Sequence, residues 1–397
     1  MSELHSPQKV LLVHYGEIAL KGGNRSLFEN RMLQNVRAAI APFGQSDVRK
    51  TEVRFIVYPK TGGAQTPAFD DKKALTALSR VFGVESVSPA IAVAPDIGLI
   101  TEAALSQADS LGLRGKSIRV ECKRSNKSFP LNSQQVNMLV GKALVDAGCS
   151  VDLDNPDETV FIEILKDKAL VAFGRIRGPG GLPVGSSGRV LSLLSGGIDS
   201  PAASWLMMKR GCDIDLLHVH QFAGNKDAKS SKIMRLARLI RGFSPHRVRL
   251  YLVPYLEFYK KTTAIQSSSE LVVFRRFLLR LGNALAAKEG YLGMVTGDSL
   301  GQVASQTLEN LYATDEVAAL PVFRPLIGYN KQEIVSLAMR IGTFDTSIEP
   351  YKDCCSLVAT KNPSTRVPLE KAKRIEQEIE MEKIVERTLA DMEVVEL

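Results

Sequence analysis

The chain has 397 residues, 45% hydrophobic and 24% charged, with a formal net charge of +8. That length suits two to three domains, and that composition supports buried cores and argues against disorder; the lack of a run of about 18 apolar residues argues against a membrane span. The surplus of Lys and Arg favours a polyanionic partner, because each phosphate contacted releases counterions.

In chain order, MSELHSPQKV lacks the apolar segment of a secretory leader, so a cytoplasmic location is expected. VLLVHY reads as a strand and Lys21-Gly22-Gly23-Asn24 as a turn. Met32, Leu33, Val36, Ala39 and Ile40 then share one helical face, with Ser26 and Glu29 at capping-box spacing. Strand-like TEVRFIVY and a helix near Asp71–Arg80 complete a small α+β unit over residues 1–80.

Residues 81–182 form a second α+β unit. A helix is predicted over Ile97–Leu111 and a strand over SIRVECKR. The next helix is NSQQVNMLVGKALVDAG, with an Asn132/Gln135 capping box, a stripe of Val136, Leu139, Val140, Ala143 and Leu144, and Gly148 at its end. VFIEIL and ALVAFGRI read as a hairpin. Arg114, Lys116, Arg119, Lys123, Arg124 and Lys127 cluster against a single Glu121, and Phe129 is placed to stack on a base, which suits RNA; a solvated charged face would look the same. The glycines from Gly174 to Gly188 mark the clearest boundary.

From residue 183 to 397 strands and helices alternate: VLSLL, PAASWLMMKRG, IDLLHVHQF, SKIMRLARLIRGF, RVRLYLVPY, ELVVFRRFLLRLGNALAAKEG, YLGMVTGD. This α/β pattern predicts a doubly wound parallel sheet. The tail from Leu369 to about Met392 reads as a charged amphipathic surface helix.

Between VLSLL and its helix stands Ser195-Gly196-Gly197-Ile198-Asp199-Ser200, with Pro201 in the first helical turn. Two glycines allow close approach of an anion, the helix start offers N–H groups and positive dipole, and Ser195 and Ser200 add hydroxyls. This is a pyrophosphate cradle. No Lys follows the glycines, so it is not the nucleoside-triphosphatase P-loop. Asp199 is the natural carboxylate for a Mg2+ held through ATP phosphates, and otherwise a helix-start acid favoured by the dipole.

The S-G-G-x-D-S turn resembles the PP-loop of ATP pyrophosphatases. Four further stretches narrow the resemblance: Tyr15–Arg25 (YGEIALKGGNR), Lys123–Pro130 (KRSNKSFP), Asp152–Pro156 (DLDNP) and Thr296–Thr307 (TGDSLGQVASQT). Together, in this order and across nearly the whole chain, they are similar to tRNA 4-thiouridine synthetases. That family implies a ferredoxin-like domain, a THUMP domain and a PP-loop domain. It implies ATP and Mg2+ as cofactors, tRNA as substrate, adenylation of O4 of the uridine at tRNA position 8, and replacement by sulfur. It places adenosine contacts on Leu193, Leu194, His218, Val219, Arg275, Gly297 and Gln306, and Lys331 near the reacting phosphate. RNA contacts are expected on Lys21 and Arg25 of the first matching stretch and on Lys123, Arg124, Lys127 and Phe129 of the basic cluster.

The family's essential cysteine aligns with Cys354, so sulfur is expected there or, next in preference, on the adjacent Cys355, the other thiol resolving the product, with Lys352 favouring the thiolate. Longer members carry a C-terminal rhodanese domain, and none is expected in the stretch to Leu397. Sulfur is therefore expected from a cysteine desulfurase or from sulfide. A supply to thiamine thiazole synthesis and a homodimer are further implications of the resemblance. Cys212, Cys354 and Cys355 also offer three thiols for an iron–sulfur cluster, a less favoured alternative without C-x-x-C. Two competing readings are ATP-dependent amidation, which needs neither Cys354 nor Cys355, and a non-catalytic RNA-binding module, which needs no ATP.

Overall fold

The computed structural model describes residues 6–397 except 53, 61, 63–67, 223, 263–266, 352, 355–357 and 359–362, so Lys352 and Cys355 lie outside the described residues. The chain forms two compact units, Met1–Gly181 and Leu182–Leu397. No helix among the described residues is long and apolar enough to cross a membrane.

The first unit runs β1 (Gln8–Tyr15), α1 (Arg25–Ile40), β2 (Ser46–Thr51), β3 (Arg54–Pro59), α2 (Asp71–Leu78), β4 (Val84–Val93), α3 (Ile97–Ser110), β5 (Ser117–Arg124), α4 (Ser133–Asp146), β6 (Ser150–Val151), β7 (Glu158–Ile164), β8 (Ala169–Phe173) and β9 (Ile176–Arg177). Its described strands make one sheet in the order β2-β3-β1-β4-β8-β7-β5-β6, with β9 beside β4. Strand β4, which the sequence reading passed over, joins the two halves by pairing antiparallel with β1 and β8. It is buried along most of its length and so shows no polar alternation. Its Pro89 sits between the stretch paired to β9 (Ser86, Val87) and the stretch paired to β8 (Ala90–Val93), where no N–H is required.

The sheet curls strongly. Arg54 on β3 and Glu163 on β7 are four strands apart in order, about 19 Å in a flat sheet, yet they pair at 2.6 Å. Burial alone would raise the Glu163 carboxyl, but His14, Arg54 and Arg175 hold it below its ordinary value. Helices α1 and α2 pack a core around Val13, Met32, Val36 and Phe55, and α3 and α4 one around Ile100, Val136, Val140 and Ile162. The predicted Asn132/Gln135 capping box is present, at 2.9 and 2.8 Å. The Ser26/Glu29 box is not: α1 starts at Arg25 without a side-chain cap, and Glu29 turns inward to Tyr15 and Arg25.

The second unit runs β10 (Arg189–Leu193), α5 (Asp199–Lys209), β11 (Asp213–His220), α6 (Asn225–Lys229), α7 (Lys232–Arg241), β12 (Arg249–Pro254), α8 (Leu256–Thr262), α9 (Glu270–Glu289), β13 (Met294–Val295), α10 (Leu308–Asp315), β14 (Val322–Phe323), α11 (Lys331–Arg340), α12 (Phe344–Ile348), α13 (Leu369–Glu378), α14 (Met381–Ala390) and β15 (Glu393–Glu396). The sheet order is β14-β13-β10-β11-β12-β15, parallel except for the antiparallel edge strand β15. This is the expected doubly wound sheet. Helix α9 packs Phe274, Phe277 and Leu281 onto Leu191, Leu217, Val219 and Tyr251.

The tail corrects the expectation of one surface helix. It breaks at Glu380, whose φ is 58°, into α13 and α14, then pairs β15 with β12. Ile375, Ile379, Met381 and Ile384 enter the core, and the fully buried Arg276 reaches Glu376 at 2.7 Å. The amphipathic pattern was legible, but the break at Glu380 and the depth to which the apolar stripe is buried were not.

Candidate active site

Strand β10 ends at Leu193, and the chain turns through Ser195–Ile198 into α5, leaving the helix start open at the C-terminal edge of the sheet. The turn is tied by its own serines: the Ser195 N–H donates to Ser200 Oγ at 2.7 Å, and the two hydroxyls lie 3.0 Å apart. Gly196 is needed for space, since a Cβ there would lie 2.6 Å from Tyr351 Cδ1. Gly297 backs the turn so closely that a Cβ would lie 2.7 Å from the Ser200 nitrogen.

Beside the turn is a cavity of about 150 Å³ bordered by Leu193, Ser195, Asp199, Ser200, Arg275, Gly297, Asp298, Gln306 and Arg324. The structure thus gathers Leu193, Arg275, Gly297 and Gln306 with the Ser195–Ser200 turn, from strand ends and helices far apart in sequence. Asp298 organises the wall. It accepts from Arg275 at 2.5 Å, Thr296 at 2.7 Å, Arg324 at 3.0 Å and Gln306 at 3.2 Å. Burial would raise its carboxyl, but Arg275, with Thr296 and Arg324, holds it far below the ordinary range. Arg275 is therefore committed to Asp298 as well as facing the cavity. At the mouth Lys331 Nζ lies 3.1 Å from Asp199, which also accepts from Gln302 at 3.2 Å. The lysine opens α11 behind a complete Asn330/Glu333 capping box.

Alternation along β11 divides the other expected contacts between the two sheet faces. Leu217 and Val219 face α9 and border, with Leu193, Leu194, Asp353 and Cys354, a smaller hollow of about 50 Å³. The His218 side chain points the other way. Its Nδ1–H donates to the Leu194 carbonyl at 2.8 Å, leaving Nε2 to accept from the Tyr351 hydroxyl at 2.8 Å. Burial depresses its basicity, so the ring is neutral. The His218 ring therefore braces the Leu194 and Tyr351 side of the site and leaves the main chain of β11 as its means of reaching a nucleotide.

Cys354 is 1% exposed, and its thiol donates to the Val219 carbonyl at 3.4 Å. Asp353 accepts from the Gly196 N–H at 2.8 Å. The segment before them is anchored by Lys232, a 6% exposed lysine whose Nζ donates to the carbonyls of Ser347 and Glu349 at 2.7 Å each. Cys212 precedes β11 and Cys354 meets its far end, about 20 Å away at 3.3 Å per residue. They cannot share an iron–sulfur cluster, and no cluster of metal ligands occurs among the described residues.

Asp298, Gln302 and Arg324 were missed as site residues, although Asp298 and Gln302 stand inside the Thr296–Thr307 stretch singled out above. Lys232 carries no signal of its own, reading only as a helix-start residue.

Residues 185–381 match the family described as Thiamine biosynthesis protein (ThiI), residues 10–88 a ThiI ferredoxin-like domain and residues 96–173 a THUMP domain. A probable tRNA sulfurtransferase of Moorella thermoacetica is 40% identical over 392 residues, covering 97% of this chain and 96% of that one. One of Caldanaerobacter subterraneus is 39% identical over 394 residues, covering 98% and 99%. The chain belongs to the ThiI family of tRNA sulfurtransferases. Among solved structures, a 4-thiouridine synthetase–RNA complex with bound ATP superposes on this ThiI-family chain with a TM-score of 0.84 and 30% identity, covering 98% of this chain and all of that one. PH1313 from Pyrococcus horikoshii does so with 0.64 and 28%, covering 84% of this chain and all of that one.

In the THUMP portion of this ThiI-family chain Lys123, Lys127, Arg114 and Lys116 are exposed. Arg119 is engaged with Leu153 O and Glu121, and Arg124 donates to the Phe129 carbonyl at 3.1 Å. Phe129 is a correction. It is 8% exposed and packs among Val136, Val140 and Ile164, so its ring is a core residue rather than a base-stacking platform. In the ferredoxin-like portion Arg25 bonds Glu29 and the Glu52 carbonyl, and Lys21 lies over the Phe28 ring at 5.2 Å.

Proposed function

We propose that this chain is an ATP-dependent tRNA sulfurtransferase that adenylates O4 of the uridine at tRNA position 8 and replaces it with sulfur, giving 4-thiouridine. The observation that carries the reading is the open helix start at Ser195–Ser200, with Asp199 and Lys331 at the mouth of a cavity walled by Arg275, Gly297 and Gln306. The likeness to the ATP-bound 4-thiouridine synthetase–RNA complex supports it.

A uracil carbonyl oxygen leaves poorly as oxide. Attack of O4 on the α-phosphorus breaks the bond to pyrophosphate and turns the oxygen into part of an AMP leaving group. Loop amides and the α5 dipole receive the phosphates. One carboxylate with phosphate oxygens and waters suffices for Mg2+, so Asp199 fits that ion; when bound, the metal neutralises charge as pyrophosphate departs. Lys331 then exchanges its partner Asp199 for phosphate. A persulfide on Cys354, loaded by a cysteine desulfurase, attacks C4 with its outer sulfur and expels AMP. Attack of the Cys355 thiolate on the Cys354 sulfur releases 4-thiouridine and leaves a disulfide for a dithiol reductant. Supply of sulfur for thiamine synthesis is a second use, favoured by the family matched over residues 185–381. A cytoplasmic site of action belongs to the same reading.

The test combines protein, unmodified tRNA, Mg-ATP, cysteine and a desulfurase, then digests the RNA for mass analysis. One AMP and one pyrophosphate are expected per 4-thiouridine. Asp199→Ala is expected to stop AMP formation while tRNA binding persists; thiolation at the normal rate by that variant would remove the turn from the mechanism.

A further inference from the structure

The carboxylate of Asp353 occupies an amide that the proposed reaction assigns to nucleotide phosphate. It accepts from the Gly196 N–H at 2.8 Å, in the middle of the S-G-G turn. The next residue is Cys354, buried against Val219 and Phe274 with its thiol on the Val219 carbonyl. A thiol in that position meets neither a sulfur donor nor an RNA base. Upstream, Lys232 holds the carbonyls of Ser347 and Glu349, Arg235 pairs with Glu349, and Tyr351 donates to His218.

We infer that Asp353 is a positioning residue that competes with ATP phosphate for the Gly196 amide, so that nucleotide binding releases Cys354 from the core. The inference rests on the reading that ATP binds this turn. A carboxylate and a phosphate cannot share one N–H donor at hydrogen-bond distance, and their like charges repel. The bond from Asp353 Oδ2 to the Gly196 N–H is a tie between this segment and the turn, so its loss to phosphate removes a restraint on the residue next to Cys354 and favours the thiol's release. Lys232 and Arg235 hold residues 347–349, so that stretch stays in place when Asp353 is displaced. The consequence is order: the cysteine becomes available only when the nucleotide that activates the uridine is in place, which protects a reactive persulfide from idle hydrolysis or reduction.

The experiment uses the full chain carrying Cys355→Ala, so that Cys354 is the remaining thiol at this position. Its alkylation by iodoacetamide is timed by peptide mass analysis with and without Mg-ATP, and ATP binding is measured on the same samples by equilibrium dialysis. The buried Cys149 and Cys212 serve as references for intact folding. Mg-ATP is expected to speed Cys354 labelling at least roughly tenfold, the scale of one charge-assisted hydrogen bond, without changing the two references. Adding Asp353→Ala is expected to give the fast rate without nucleotide and to tighten ATP binding, since the internal competitor is gone. If ATP binds and Cys354 labelling stays the same or slows, the latch is wrong and the proposed reaction stands. If ATP does not bind at all, the reading of the turn falls and the latch with it. Should Asp353→Ala expose Cys149 and Cys212 as well, the comparison with and without ATP in the parent chain still decides.

Discussion

Asp298 offers the sharpest test of how the cavity wall is built. It is 3% exposed and accepts hydrogen bonds from Arg275, Arg324, Thr296 and Gln306. Asp298→Asn keeps the shape and removes the negative charge that faces the Arg275 and Arg324 guanidiniums. Breaking a buried pair from one side costs roughly 3–5 kcal/mol. Arg324 keeps Asp315 at 2.8 Å, which favours the lower end of that range. For a unit the size of Leu182–Leu397 this lowers the melting midpoint by roughly 6–12 °C. The sign with pH is fixed: the folded carboxyl lies below its unfolded value, so its contribution is present above about pH 4 and is lost as pH falls toward the folded value. A comparison at pH 7.5 therefore sees the full effect. The single tryptophan, Trp205, is buried in α5 of this unit, so its fluorescence in urea reports the right transition. In an Arg275→Met background the same Asp298→Asn change is expected to cost at least about 1 kcal/mol less, because one of the guanidiniums that the carboxylate faces is already gone. An Asp298→Asn midpoint within about 0.5 kcal/mol of the parent would refute the assignment of Asp298 as the organiser of the wall.

Burial depresses His218 and His220, so the unfolded chain takes up protons below about pH 6.5 that the folded chain refuses. Stability of the second unit should therefore fall as pH drops from 7.5 to 5.5, each histidine adding at most about 1.4 kcal/mol per pH unit; urea midpoints that do not move, or rise, over that range would contradict it. Phe129→Ala is expected to cost roughly 3–5 kcal/mol by opening a cavity in the core beneath α4, measured as loss of amide-exchange protection in the first unit. A fold of unchanged stability with weakened RNA binding would restore Phe129 as a base contact. Lys123→Glu with Lys127→Glu is expected to weaken tRNA binding and reduce its salt slope by about 2; affinity unchanged from low to high salt would clear that face of a role.

Local chemistry was legible where the residues that decide it are neighbours in the chain. The S-G-G-x-D-S turn, the strand before it and the helix after it are set by glycine freedom, the helix dipole and alternating hydrophobic runs. So are the parallel sheet of the second unit and the Asn132/Gln135 cap. Strand β4 escaped because a strand buried on both faces loses its alternation, and the division of the tail because a non-glycine residue, Glu380, takes the left-handed conformation at the break.

What only the tertiary structure decided are the pairings between residues distant in sequence. Asp353 reaches Gly196 from 157 residues away, and Tyr351 reaches His218 from 133. The curl that brings Arg54 to Glu163, and the packing that turns Phe129 inward, are likewise properties of assembled elements. A sequence states which side chains carry charge or a thiol. Which of them meet, and which are shielded from water, depends on how sheets bend and loops return, and that is settled by the packing of the whole unit rather than by any local stretch.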